Sequence, residues 1–175
     1  MTPMTDASIR ADRRLVLRKT IEAVPQFGLC EAGAPYGARP CAFGIALDAS
    51  GRIALVRIAR ETYVNWDLPG GMIDPGESEA EALAREFCEE TGWTVAPGAL
   101  VTRAEQFTIT RTGERRRNQC GFFLCDLLEL NGGKIEDDHE LVWLEPHEAL
   151  TRLRHPAAAW AVTQWLRMGR ACGGR

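Results

Sequence analysis

Apolar and polar residues along the chain follow two rhythms. Runs of strand character occupy residues 41–47, 52–58, 100–112, 118–130 and 141–144, with a short one at 93–95. Asp48-Ala49-Ser50-Gly51 joins the first two as a hairpin, and Pro97-Gly98 and Asn131-Gly132-Gly133 mark turns. Residues 113–117, Gly-Glu-Arg-Arg-Arg, read as the tip between the two long strands. Helical spacing takes over at 79–91, where Ala80, Leu83, Ala84, Phe87 and Thr91 recur as a buried stripe. Ser78 with Glu81 is a capping box before that helix, and Gly92 stands at its C′ position. Further helices are expected over 146–153, with Pro146 suited to a first turn, and over 156–168, with Ala159, Trp160, Val162, Thr163 and Leu166 inward. Residues 28–40 and 61–65 read as loops, and 1–12 as a polar, frayed lead. Residues 13–19 fit an edge strand or a helix start equally. Several strands around one central helix, with helices at the end, predict an α+β fold.

Composition narrows the class. A chain of 175 residues with 45% apolar and 26% charged residues suits one globular domain with a substantial core. We expect that domain over 39–175, with a partly irregular N-terminal extension, 1–38, packed on or beside it. A net charge of −3 and a pI near 5.7 argue against bulk electrostatic binding of nucleic acid. No run approaches the roughly 18 apolar residues of a membrane span, and no apolar signal core opens the chain, so the expected location is the cytoplasm. Cys30, Cys41, Cys88, Cys120, Cys125 and Cys172 then read as reduced structural thiols, with Cys88 on the inner side of the helix. His139, His147 and His155 read as surface or packing residues.

The chemistry concentrates on the central helix. Glu86, Glu89 and Glu90 stand at i, i+3 and i+4, so three carboxylates crowd neighbouring positions and repel one another. A glycine-rich bend, Leu68-Pro69-Gly70-Gly71, and an apolar stripe flank them instead of interspersed lysines. A hard divalent cation turns that repulsion into coordination, because Mg²⁺ and Mn²⁺ select oxygen ligands.

Residues 71–93 match every fixed position of G-x5-E-x7-R-E-U-x-E-E-x-G-U, with Phe87 and Trp93 in apolar slots (U). The stretch resembles the signature of the Nudix hydrolases, and Trp66 to Gly71 resembles the family's approach to that box. The resemblance implies a mixed sheet sandwiched between helices, with the signature as a loop–helix–loop at its centre. It also implies Mg²⁺- or Mn²⁺-dependent cleavage of a pyrophosphate linkage in a nucleoside diphosphate joined to another group. By the same resemblance Glu86, Glu89, Glu90 and the Gly70 carbonyl match metal ligands. Arg85 matches the arginine that pairs with box glutamates, and Gly71, Glu77 and Gly92 match framework positions. Arg85 and Glu89 are i, i+4 in any case, so a local ion pair is available.

Outside the box the reading thins. Glu136, Asp137, Asp138 and Glu140 are candidate general bases, with Glu140 preferred because it abuts a strand. Arg57, Arg60 and Arg111 are candidate phosphate contacts, with Arg103 and Arg115 to Arg117 as further options. Trp66, Phe107 and Phe122 are candidates for stacking on a base. A nucleoside triphosphate or nucleotide sugar is the expected substrate type. A silent nucleotide-sensing module and an RNA 5′-end pyrophosphohydrolase are the alternatives, with nucleic acid disfavoured by charge. The patterns of NADH-, coenzyme A-, ADP-ribose- and dinucleoside polyphosphate-cleaving branches are absent. The family resemblance also allows a homodimer.

Overall fold

A computed structural model describes residues 23–172; the readings of residues 1–12 and 13–19 lie outside the described residues. Eight strands and three helices follow one another among them: β1 (Gln26–Phe27), β2 (Gly37–Ala46), β3 (Ile53–Arg60), β4 (Tyr63–Asp67), β5 (Gly70–Met72), α1 (Glu79–Thr91), β6 (Trp93–Ile109), β7 (Arg115–Leu130), β8 (His139–Leu144), α2 (Pro146–Arg152) and α3 (Pro156–Cys172). One sheet runs β1-β6-β7-β2-β5 and the other β4-β3-β8. The first is mixed: β2 lies parallel to β7 and β1 to β6, while β6–β7 and β2–β5 are antiparallel.

Two apolar clusters hold helices on opposite faces of the sheets. Leu83 and Phe87 of α1 pack on Ala42, Ala46, Ala54, Val95 and Cys125. Ala157, Ala158, Ala161 and Val162 of α3, with Ala149 of α2, pack on Cys41, Ile45, Ile53, Leu55, Ala104, Cys120 and Phe122. Small residues on β2 let α1 approach closely, and fully burying Phe87 contributes about 1.5–3 kcal/mol. The layers are helix, sheet, helix: the α+β fold that the residue pattern predicts, in the sandwich that the family resemblance implies.

Several local expectations change. Residues 61–65 are not a loop: β4 begins at Tyr63 and pairs antiparallel with β3. The 28–40 loop ends early, because Gly37 already pairs with Arg116. Residues 93–109 form one strand despite Pro97-Gly98, which sit at bulges in the β6–β7 ladder. Arg115 to Arg117 lie within β7 opposite Phe107 to Ile109, and the true turn is Thr110 to Glu114. On α1, Ala80 is exposed and Ala82 buried, shifting the apolar stripe, while Cys88 is only half-buried. The inner face of α3 likewise shifts to Ala157, Ala158, Ala161 and Val162.

Candidate functional site

The bend before α1 is built to bring backbone against carboxylate. Gly70 has φ +130°, and a Cβ there would lie 2.3 Å from the Ala42 carbonyl oxygen, so only glycine lets β5 close on β2. A Cβ on Gly71 would lie 2.7 Å from the Glu86 carboxyl carbon. The turn that follows is held by Asp74 N–H donating to Glu77 Oε2 at 2.9 Å, and the capping box starts α1: Glu81 N–H donates to Ser78 Oγ at 3.3 Å and Ser78 N–H to Glu81 Oε2 at 2.8 Å. Gly92, at φ +79°, ends it with its N–H on the Cys88 carbonyl.

Arg85 ties this loop to the helix. Its guanidinium donates to both Glu77 oxygens at 2.7 and 2.8 Å, to Glu86 Oε1 at 2.9 Å, to Glu89 Oε2 at 3.4 Å and to the Met72 carbonyl at 3.2 Å. The fork geometry is what a lysine cannot reproduce. It holds the Glu77 carboxyl down at about 2.

Glu90 is the buried member of the acid cluster. Gly70 N–H donates to its Oε2 at 2.9 Å, and its Oε1 lies 3.6 Å from Nε2 of His139. Burial raises Glu90 well above the ordinary carboxylate range, with Glu136, Glu86 and Asp67 adding to the effect and the Gly70 hydrogen bond opposing it. Glu86 is also raised, by burial, and partly relieved by Arg85. The Glu89 carbonyl accepts from the N–H groups of Ile135 and Glu136, which anchors the 135–139 segment beside α1. That places Nδ1 of His139 at 2.8 Å from Glu136 Oε2, and ligand atoms of Glu90, Glu136 and His139 all fall within 4.8 Å of one another.

A cleft of about 970 Å³ opens over this cluster. Glu86, Glu90, Asp67, Glu136 and His139 line one end. The sheet supplies a floor of Cys41, Phe43, Asn118, Cys120 and Phe122, with Arg39, Arg60, Arg116 and Arg154 around it. Gln106 joins the floor to α3: it is buried, and its Oε1 accepts from the Ala157 N–H at 3.2 Å.

The other sequence candidates are distributed unevenly. Gly70, Glu86, Glu90 and Arg60 line the cleft, whereas the Glu89 carboxylate turns to Arg85. Glu140 pairs with Arg57 at 2.7 Å on an exposed face, because β8 alternates and His139 takes the inward position. Arg60 is paired with Asp138 at 2.5 Å. Arg111 lies over the Tyr63 ring, 4.1 Å from its centroid, away from the cleft lining. Trp66 is packed against the α3-side cluster, Phe107 meets Tyr36 edge-on, and Phe122 stacks on Phe43 beneath the cleft. His139 is buried in the acid cluster and His155 lines the cleft, its pKa lowered by burial; only His147 is an exposed surface residue. Asp67, bonded to Arg154 at 2.6 Å, is a further cleft residue; it lies in the Trp66–Gly71 approach to the box, though the sequence does not single it out as a site residue.

The NUDIX domain model matches residues 37–166, and the chain belongs to that family. It is 32% identical over 113 residues to an 8-oxo-(d)GTP phosphatase of Mycolicibacterium smegmatis, covering 61% of this chain and 33% of that protein. With an RNA pyrophosphohydrolase of Novosphingobium aromaticivorans it shares 42% identity over 62 residues, 35% of this chain and 37% of the other. The chain thus spans well under half the length of these curated relatives, as it does of a Bacillus subtilis relative, 39%. A NUDIX hydrolase from Nitrosomonas europaea has the same fold, with TM-score 0.64 at 20% identity, over 75% of this chain and 90% of that one.

Proposed function

We propose that this protein hydrolyses a pyrophosphate bond in a nucleoside diphosphate linked to another moiety, of the nucleoside triphosphate or nucleotide-sugar type, with Mg²⁺ or Mn²⁺. The observation that carries the reading is the convergence of Glu90, Glu86, Glu136 and His139 at one end of a cleft with arginines around the rest.

The donor set fits a hard divalent ion. Three carboxylates and one imidazole are oxygen-rich, and among the described residues no arginine or lysine pairs with buried Glu90. Glu86, Glu90, Glu136 and His139 would hold the ion, with the Gly70–Gly71 bend packed directly against Glu86 and Glu90. Bound there, the ion supplies positive charge that polarises a phosphoryl oxygen and acidifies a water. Arg85 keeps Glu86 in place, and Gly70 N–H fixes the orientation of Glu90. Arg39, Arg60 and Arg116 offer charge-assisted donors to the anionic oxygens of a polyphosphate, while Phe43, Phe122 and Asn118 supply an apolar and amide floor. The relatives' names put 8-oxo-dGTP and 5′-triphosphorylated RNA into the panel of compounds to try beside ordinary nucleotides and nucleotide sugars.

The experiment is a product-resolved assay of that panel with Mg²⁺ or Mn²⁺, run on the wild type and Glu90→Gln. Turnover of one small nucleotide is expected, reduced in the variant by at least the 10–100-fold, approximately, that losing a supporting partner of a metal ligand costs. Equal rates for the two proteins would remove the proposal. Tight binding of one nucleotide without product would leave a sensing module, and turnover of RNA ends alone would move the substrate class.

A further inference from the structure

Two cysteines occupy the floor of the cleft side by side. Cys41 on β2 and Cys120 on β7 are register partners in parallel strands, and both line the cleft. Neighbouring strands lie about 4.8 Å apart, inside the roughly 4.4–6.8 Å between Cα atoms that a disulfide spans. Each sulfur leans toward the carbonyl two residues back in its own strand, Cys41 Sγ to Arg39 at 3.5 Å and Cys120 Sγ to Asn118 at 3.6 Å. Register pairing in parallel strands puts both side chains on the same face at the same height. Cys125 provides the contrast, since it faces the α1 layer and its register partner is Ala46.

We propose that Cys41 and Cys120 are a redox-convertible dithiol, oxidised by a small hydroperoxide to a disulfide across the floor of the cleft. Cys41 is the attacking residue. The contact with Cys120, aided by Arg39 and opposed by burial and by the Glu86 charge, holds its thiol below the ordinary range, whereas contact with Cys41 and burial push Cys120 up. The Cys41 thiolate attacks the peroxide oxygen, the O–O bond breaks, and the expelled hydroxide or alkoxide takes up the proton the thiol gave up and departs as water or an alcohol, leaving a sulfenic acid. The Cys120 sulfur then displaces the sulfenic hydroxyl, forming S–S, and its proton leaves with that hydroxyl as water. Two thiols lose two electrons in total and the hydroperoxide gains two. The floor then presents a disulfide in place of two thiols, between Asn118 and the Phe43–Phe122 stack. This chemistry does not depend on which nucleotide, if any, the cleft turns over.

Peptide mapping of the full chain after hydrogen peroxide treatment tests the proposal. The expected result is a Cys41–Cys120 linked peptide pair that dithiothreitol dissolves, with Cys125 still alkylatable. In Cys120→Ser, Cys41 should accumulate sulfenic and then sulfinic acid, trapped first by dimedone. Mapping the wild type needs no variant to fold. Persistence of both thiols while exposed Cys30 is oxidised, or direct passage of wild-type Cys41 to sulfinic acid without the linked pair, would overturn it.

Discussion

At the scale of single residues, the tension in the site lies in Glu90, a carboxyl that burial holds well above its ordinary range. A carboxyl whose folded pKa is raised binds its proton more tightly in the folded state. The metal-free protein should therefore lose stability as pH rises from the ordinary carboxylate value of about 4.5 toward the higher folded value. Glu90→Gln should abolish that loss, melting above the wild type at neutral pH without metal while gaining nothing from Mn²⁺. Thermal melts across pH, with and without Mn²⁺, check both halves. Gly71→Ala probes the close approach: the added carbon meets Glu86 at 2.7 Å, so Mn²⁺ affinity should fall by roughly 10–100-fold in a titration while the fold survives. The acids of the helix were legible because 3.6-residue spacing shows which of them share a face. His139 was not, since its partner Glu90 lies 49 positions earlier and its inward orientation depends on pairing Ile58 with His139. Local pattern says that a strand alternates; which alternate faces the cleft is decided by a register set across the molecule.

At the scale of elements, the loop and α1 act as one piece stapled by Arg85. Glu77, held at about 2, contributes stability that is complete above its ordinary value of 4.5 and disappears as pH falls toward 2. Glu77→Gln should flatten the acid limb of the stability curve over that window, as followed by circular dichroism. Ser78→Ala removes the cap from α1 and should cost about 1 kcal/mol in a denaturant melt, with no change in the linear slope. The cap, the C′ glycine and the turn were all readable, because each depends on residues within one or two turns of helix. The 93–109 strand was misread for a related reason. Pro97-Gly98 is turn chemistry by local rule, yet an antiparallel partner thirteen ladder pairs long absorbs it as a bulge.

Across the whole molecule, the two sheets and the helices on their outer faces make one body whose cleft draws on residues from Arg39 to Ala158. Removing the divalent ion should lower the melting temperature, and 100-fold excess over its dissociation constant should restore about 2.7 kcal/mol, or roughly 5–10 °C, in calorimetry. The α+β class was legible from the strand and helix rhythms, and the layered sandwich from the family resemblance of residues 71–93. The contents of the cleft were not, because Arg39, Asn118 and Arg116 become neighbours only through the parallel pairing of β2 with β7. That pairing has a consequence for a chain emerging from the ribosome. The glutamates of α1 are synthesised before β7 and before Glu136 and His139, so the proposed ligand set is incomplete on the nascent segment. At the proposed site, metallation would then come late in assembly, after the C-terminal half has been translated and docked.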